Sequence, residues 1–304
     1  MTNAASTAQP AEPQKKQGFV AEMVELVKTV VYALLIALVL RVVLFQPYTI
    51  PSASEEPNLY RGDYIIVSKW SYGWSQKSVP FLDLVPPIFK GRLLFSAPKR
   101  GDIIVFALPH DGHTNFIKRL VGLPGDRIQM RAGRLYINDK PVEVAPAPLP
   151  PPPRGAYDYS PAKGQLETSP EGRRYLTQIM PASEQAAALG ELPNPVNTIT
   201  YVVPPHCYFM MGDNRDDSLD SRFDPQLAPD DPKLGGCGLN NGLPSQTENP
   251  GVGFVPEDNL VGKAQLVLIS WNTGTDSEPC CASIFKPWTW FTEVRADRFF
   301  RVLH

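Results

Sequence analysis

Apolar positions along the chain follow two different patterns. From Thr29 to Phe45 (TVVYALLIALVLRVVLF) they are almost continuous, and Arg41 is the single charge. Taken as a helix, this run is apolar on every face, with no polar stripe of the kind a surface helix shows. Its length is close to the roughly 17–25 residues that cross a bilayer core, and Arg41 lies near enough to the end to snorkel. The pattern therefore predicts a membrane-spanning helix over residues 19–46. Beyond it, short apolar runs are broken by Gly, Pro and Asp. Strands are predicted at Asp63–Trp70, Gly101–Leu108, Asn115–Val121, Thr198–Val203, Cys207–Met211 and Ala264–Trp271. Arg127–Arg131 and Arg134–Ile137 form a predicted hairpin around Ala132-Gly133. Several strands at this spacing, with turn signals between them, predict a mostly β body of sandwich or barrel type.

Interruptions in the pattern mark the organisation. Residues 1–18 are rich in Ala, Gln and Pro and are expected to be a disordered tail. Ala145–Pro153 (APAPLPPPP) reads as a polyproline-II linker, and 154–197 as a small polar second lobe. A core over 47–137 and 198–304, interrupted by this linker and lobe over 138–197, follows. Residues 224–253 hold too few large apolar side chains to fold alone and read as a loop insertion. Near the end, Phe285-Lys-Pro-Trp-Thr-Trp-Phe291 crowds aromatic residues that either rest on lipid headgroups or, as expected here, pack against the β body. The 33 prolines in 304 residues argue against a mostly helical body. A net charge of −2 and a pI near 6.1 give no nucleic-acid footprint.

Lys15, Lys16 and Lys28 precede the apolar run that starts at Thr29 and favour a cytoplasmic N-terminus, leaving the β body on the opposite side. Ser52-Ala53-Ser54, small-x-small behind an apolar run, also resembles the site at which a secretory leader is cut. The run is longer than the 7–15 residues of a leader's apolar core, and Ser54 lies far beyond it. Of the cysteines, Cys207, Cys237, Cys280 and Cys281, the adjacent two are unlikely partners by Cα separation; Cys237 with either of them is one candidate pairing. His110-Asp-Gly-His113 has metal-like spacing without further ligands, so no metal or cofactor is expected. Asp213–Asp220 lacks the glycine and closing glutamate of a calcium loop.

No histidine stands where a serine nucleophile would want its base, and lysine is the usual substitute. Bringing a lysine from about 10.4 to about 8 destabilises its ammonium by about 3.3 kcal/mol, which takes burial or like charge. Lys118 shares a strand face with Phe116 and Leu120, while Arg119 points to the other face. By pattern alone an edge-strand lysine that deters aggregation is the better reading.

The blocks IPSASEEPNLYRGDYIIVSKWSYG, RGDIIVF, FIKRLVGLPGDRI and MGDNRDDSLDSRFD…GFVPEDNLVGKA, in this order behind an apolar anchor, resemble bacterial type I signal peptidase. The resemblance implies a β catalytic core with a smaller inserted lobe. It implies Ser54 as nucleophile, Lys118 as general base, and Ser52 with the Ser54 N–H as oxyanion hole. Ser218 would orient the lysine, and Asp220 with Arg222 would form a structural ion pair. Exported preproteins would be the substrates, cut at the outer, periplasmic face of the bacterial inner membrane, close to the secretion translocon. Related Ser-Lys proteases, of mitochondrial inner-membrane or pilin-maturing type, are the neighbouring enzyme reading. A tethered domain that binds exported chains without cutting them is the non-enzyme one.

One position departs from that family. Its members commonly carry Met after the nucleophile, where this chain has Glu55 followed by Glu56. An ionised carboxylate there would pair with protonated Lys118 and raise its pKa; a side chain turned to solvent would do little.

Overall fold

Residues 19–43 form one 25-residue helix, α1 (Phe19–Val43), apolar on all sides and exposed along its length. At 1.5 Å per residue it is about 37 Å long, more than the roughly 30 Å of a bilayer core. The structure is a computed structural model, and it describes residues 18–78, 91–156, 161–181, 194–239, 242–245, 249–274 and 288–303. Residues 1–41 and 42–304 form two separate units. The predicted span runs to residue 46, but the helix stops at Val43, and Phe45 and Gln46 already belong to a strand. Pro47 explains the stop, because a proline disfavours helical backbone in the residue before it.

The strands follow in chain order: β1 (Phe45–Thr49), β2 (Asp63–Ser68), β3 (Ile103–Ala107), β4 (Asn115–Gly122), β5 (Arg127–Arg131), β6 (Arg134–Ile137), β7 (Lys140–Pro141) and β8 (Glu143–Ala147). After these come β9 (Lys163–Thr168), β10 (Arg174–Ile179), β11 (Tyr201–Val202), β12 (Cys207–Met211), β13 (Val255–Pro256), β14 (Leu260–Ser270) and β15 (Arg301–Val302). The main sheet runs β1-β2-β14-β3-β4-β12-β13, with β15 pairing on β14, and its paired strands are antiparallel. Register shifts at Leu260/Gly262, Ala264/Leu266 and Val267/Ile269 interrupt the β14 ladder, the usual way a long strand is bent.

Both faces of this sheet are covered. On β3, Ile103 and Val105 pack with Ile65, Val67 and Val261, while Ile104 and Phe106 pack with Leu120, Tyr208 and Met210. This two-sided burial explains why β3 reads as a continuous apolar run rather than an alternating one. Each such side chain contributes about 1.5–3 kcal/mol of transfer free energy. A four-stranded sheet, β11-β5-β6-β7, adds a second core around Ile128, Leu135, Tyr201 and Phe209.

The expected second lobe contains the three-stranded sheet β10-β9-β8. Its first strand takes in Ala145-Pro146-Ala147, the start of the stretch read above as linker. Since β8 is an edge, Pro146 can occupy a strand there without costing a ladder bond. The insertion is tied down rather than loose. Cys237 is bridged to Cys207 on β12, Leu243 bonds both Arg222 and Asp224, and Gly251 N–H donates to Asp224 O. This bridge replaces the candidate pairing of Cys237 with Cys280 or Cys281, which lie outside the described residues. Against the expectation of packing, Trp288 and Phe291 of the aromatic tail are 63% and 84% exposed.

Candidate active site

Ser54 opens a tight turn immediately before β2. Glu56 N–H donates to Ala53 O at 3.1 Å, and Asn58 and Leu59 N–H both donate to Glu55 O at 2.9 Å. The segment after β12 holds this turn from behind: Asn214 N–H donates to Ser54 O at 3.1 Å, and Asn214 Nδ2 to Ala53 O at 3.3 Å. The close approach requires Gly212. A Cβ there would stand 2.5 Å from Ser54 O and closer still to Ser218 Oγ, so a larger residue would push the Ser54 backbone away.

Lys118 lies on β4 opposite Ile104 of β3, buried to 4% exposure, and Ser54 is 7% exposed. Lys118 Nζ donates to Ser54 Oγ at 2.5 Å and to Ile117 O at 3.0 Å, and it stands 5.7 Å from the centre of the Phe116 ring. Burial lowers its pKa below the ordinary lysine value, opposed by the charges of Glu55, Asp220, Asp213 and Asp217. A lysine so placed can be neutral and accept the serine proton.

The other sequence-derived residues gather around this pair. Ser52 is exposed, its Oγ 3.4 Å from Ser54 Oγ. Asp220 and Arg222 form a buried two-point ion pair, Nε to Oδ1 and Nη2 to Oδ2 both at 2.9 Å. Burial pushes the Asp220 carboxyl up, but Arg222 outweighs it and holds the group below its ordinary value. Asp220 also accepts the Gly212 N–H at 3.2 Å, so the pair steadies the segment behind Ser54. Ser218 differs from expectation. It is buried next to Gly212, but its hydroxyl makes no hydrogen bond, and Lys118 is bonded to Ile117 O instead.

One feature lay beyond the sequence reading, and a second decides between its alternatives. Arg119 makes a buried bidentate pair with Asp213, 2.7 Å at each bond, and its guanidinium stacks 4.4 Å from the Tyr175 ring. Asp213 accepts Asn58 Nδ2 at 2.7 Å as well, so one carboxylate joins the Ser54 turn, the Lys118 strand and the segment after β12. The signal was Arg119 itself, on the face opposite Lys118, since a buried arginine needs an acid. The second feature is Glu55, which turns inward rather than to solvent: it is 0% exposed, and neither carboxyl oxygen has a hydrogen-bond partner. Burial and then the Asp213 charge push its pKa well above the carboxylate range, with Lys118 and Arg119 opposing.

Ser54 and Lys118 face a cleft of about 510 Å³, walled by Leu108, Phe116, Leu219 and Pro250 among others. Asn249 and Pro250 come from the insertion, which thus supplies part of the cleft wall. His110 also lines the cleft, its Nδ1 2.9 Å from Pro225 O.

The family model described as signal peptidase, peptidase S26 matches residues 23–271. The chain belongs to this family. It is accordingly a serine endopeptidase. A signal peptidase I from Rickettsia massiliae is 35% identical over 281 residues, spanning 90% of this chain and 91% of that one. The Rickettsia canadensis signal peptidase I is 34% identical over 284 residues, 91% and 92% of the two chains. A crystal structure of a signal peptidase I from Enterococcus faecalis aligns with a TM-score of 0.27 at 23% identity, over 55% of this chain and 97% of its own. Within the S26 peptidases the mostly β body and the single apolar N-terminal helix are explained together.

Proposed function

We propose that this S26 peptidase cuts signal peptides from exported preproteins while anchored in the membrane by α1, with Ser54 as nucleophile and Lys118 as general base. The observation that carries the reading is the 2.5 Å bond between Lys118 Nζ and Ser54 Oγ in a buried setting. Neutral Lys118 takes the Ser54 proton as Oγ attacks the scissile carbonyl, and the resulting ammonium gives that proton to the leaving amine. Water, activated by the same amine, then hydrolyses the ester. The Ser54 N–H and the Ser52 hydroxyl are the donors for the developing oxyanion.

The sheet also supports a binding mode. Asn115–Lys118 pair with β3 on one side, whereas β12 engages β4 only from Arg119 to Gly122. An extended peptide can add as a strand along the open edge, between this segment and the residues leading into Ser54. The lysines before the apolar run of α1 favour a cytoplasmic N-terminus, with the body on the opposite, periplasmic side of the inner membrane and near the translocon. The Cys207–Cys237 bridge suits such an oxidising compartment.

The test compares the wild-type chain with Ser54→Ala and Lys118→Ala in processing of a purified preprotein, the product N-terminus being sequenced. Loss in both variants is expected. Equal processing by all three would remove the assignment.

A further inference from the structure

The residue after the nucleophile is a charged type in a place that gives it nothing to bond. Glu55 is fully buried, and both carboxyl oxygens lack a hydrogen-bond partner. An ionised carboxylate removed from water without donors carries a penalty of several kcal/mol, so a merely structural role at this position would be filled better by an apolar side chain. The charges around it are otherwise matched. On β4, Arg119 is paired with Asp213 of the segment after β12; further along that segment Asp220 is paired with Arg222. Lys118 on β4 and Glu55 on the serine turn are left, neither with an opposite charge in contact among the described residues. Asp217, which lines the cleft with Lys118, adds a weaker influence in the same direction as Glu55, and Tyr175 stacks on Arg119.

We propose that Glu55 is a positioning residue for the general base, its carboxyl setting through space how readily Lys118 gains or loses a proton. This rests on the reading of Lys118 as that base. Within a cluster whose other charges cancel, each of the two groups is poor at carrying charge alone. A positive Lys118 is offset by a negative Glu55, and a negative Glu55 by a positive Lys118, so they titrate as one unit. The electrostatics agree in direction: the Glu55 charge is the largest influence raising Lys118, and the Lys118 charge is the largest lowering Glu55. With an uncharged residue at 55, the Lys118 ammonium would stand uncompensated and would surrender its proton at lower pH. The proton taken from Ser54 stays on Nζ throughout, since Glu55 supplies only a field.

The experiment is the pH dependence of kcat/KM for the full chain in detergent, with a preprotein substrate, for wild type, Glu55→Gln and Glu55→Met. Loss of activity in Lys118→Ala is the control that keeps the base assignment separate. The acid limb is expected to move to lower pH by about one unit in both Glu55 variants, the low end of what a nearby opposite charge produces. An unmoved limb in both would overturn the proposal. So would a shift in Glu55→Met alone, because Gln removes the charge while keeping the shape. A second readout is the infrared carboxyl band lost in Glu55→Gln, expected to ionise in wild type above the ordinary carboxylate range but below the activity limb, and at higher pH in Lys118→Ala, where the opposite charge is gone. A wild-type carboxyl that ionises in the ordinary range near 4.3, independently of the activity limb, also overturns it.

Discussion

Asp213→Asn is the substitution from which the structure predicts the largest loss of stability at constant volume. The wild-type carboxylate accepts two bonds from Arg119 at 2.7 Å and one from Asn58 at 2.7 Å, with side-chain exposures of 1% for Arg119 and 0% for Asp213. Asparagine fills the same space but removes the charge, so the buried guanidinium loses the carboxylate it is bonded to. Breaking one partner of such a pair costs about 3–5 kcal/mol. For a folded body of this size each kcal/mol moves the midpoint by about 2–4 °C, so Tm should fall by roughly 6–20 °C. Circular dichroism melts of the full chain in detergent measure it. The double variant Arg119→Met/Asp213→Leu removes both charges and should recover a substantial part of the loss, since an apolar replacement of a buried pair is often tolerated. A single variant melting within about 2 °C of wild type would refute the reasoning and would mean that water reaches the pair.

Ser52→Ala should lower kcat by about 10²–10³ with a much smaller change in KM, as for loss of one oxyanion donor, and steady-state kinetics on a preprotein would show it. A loss shared equally between both constants would place Ser52 in ground-state binding instead. Glu56 is pushed up to about 8, by burial first and the nearby Asp217 charge second, with Arg295 and Arg298 opposing. Because the folded value lies above the unfolded one, its contribution is present in full below about pH 4 and is lost as pH rises towards 8. Denaturant midpoints measured from pH 4 to 9 should therefore fall less steeply in Glu56→Gln than in wild type. Parallel curves would contradict the shift.

Strands were legible where one face alternates or a short run is bounded by turns. The β5–β6 hairpin around Ala132-Gly133 and the Cys207–Met211 strand stand where the pattern puts them. Boundaries were less legible where a tertiary partner decides them. β14 begins at Leu260, four residues before the predicted start, because Leu260 pairs with Phe106 of β3, a contact far away in sequence. β1 was missed because its residues, FQPYT, follow an apolar helix directly and contain a proline; its strand character comes from pairing with β2. At the site, Ser54 and Lys118 could be named from motif and face. That Glu55 points inward could not, since an i+1 residue faces solvent on an extended chain but here sits in a turn packed from behind by Gly212 and Asn214. The Arg119–Asp213 pair was hidden for a similar reason, with 94 residues separating its members.

The insertion over 224–253 reaches the cleft through Asn249 and Pro250, while it is fastened to the body at Cys207 and Arg222, neither of which touches Ser54 or Lys118 directly. One wall of the entrance is thus supplied by residues other than the amine and hydroxyl behind it. Substitutions or length changes there can alter which peptides are admitted without disturbing the bond between amine and hydroxyl, so evolution or an engineer could retune selectivity at this doorway while leaving the engine alone.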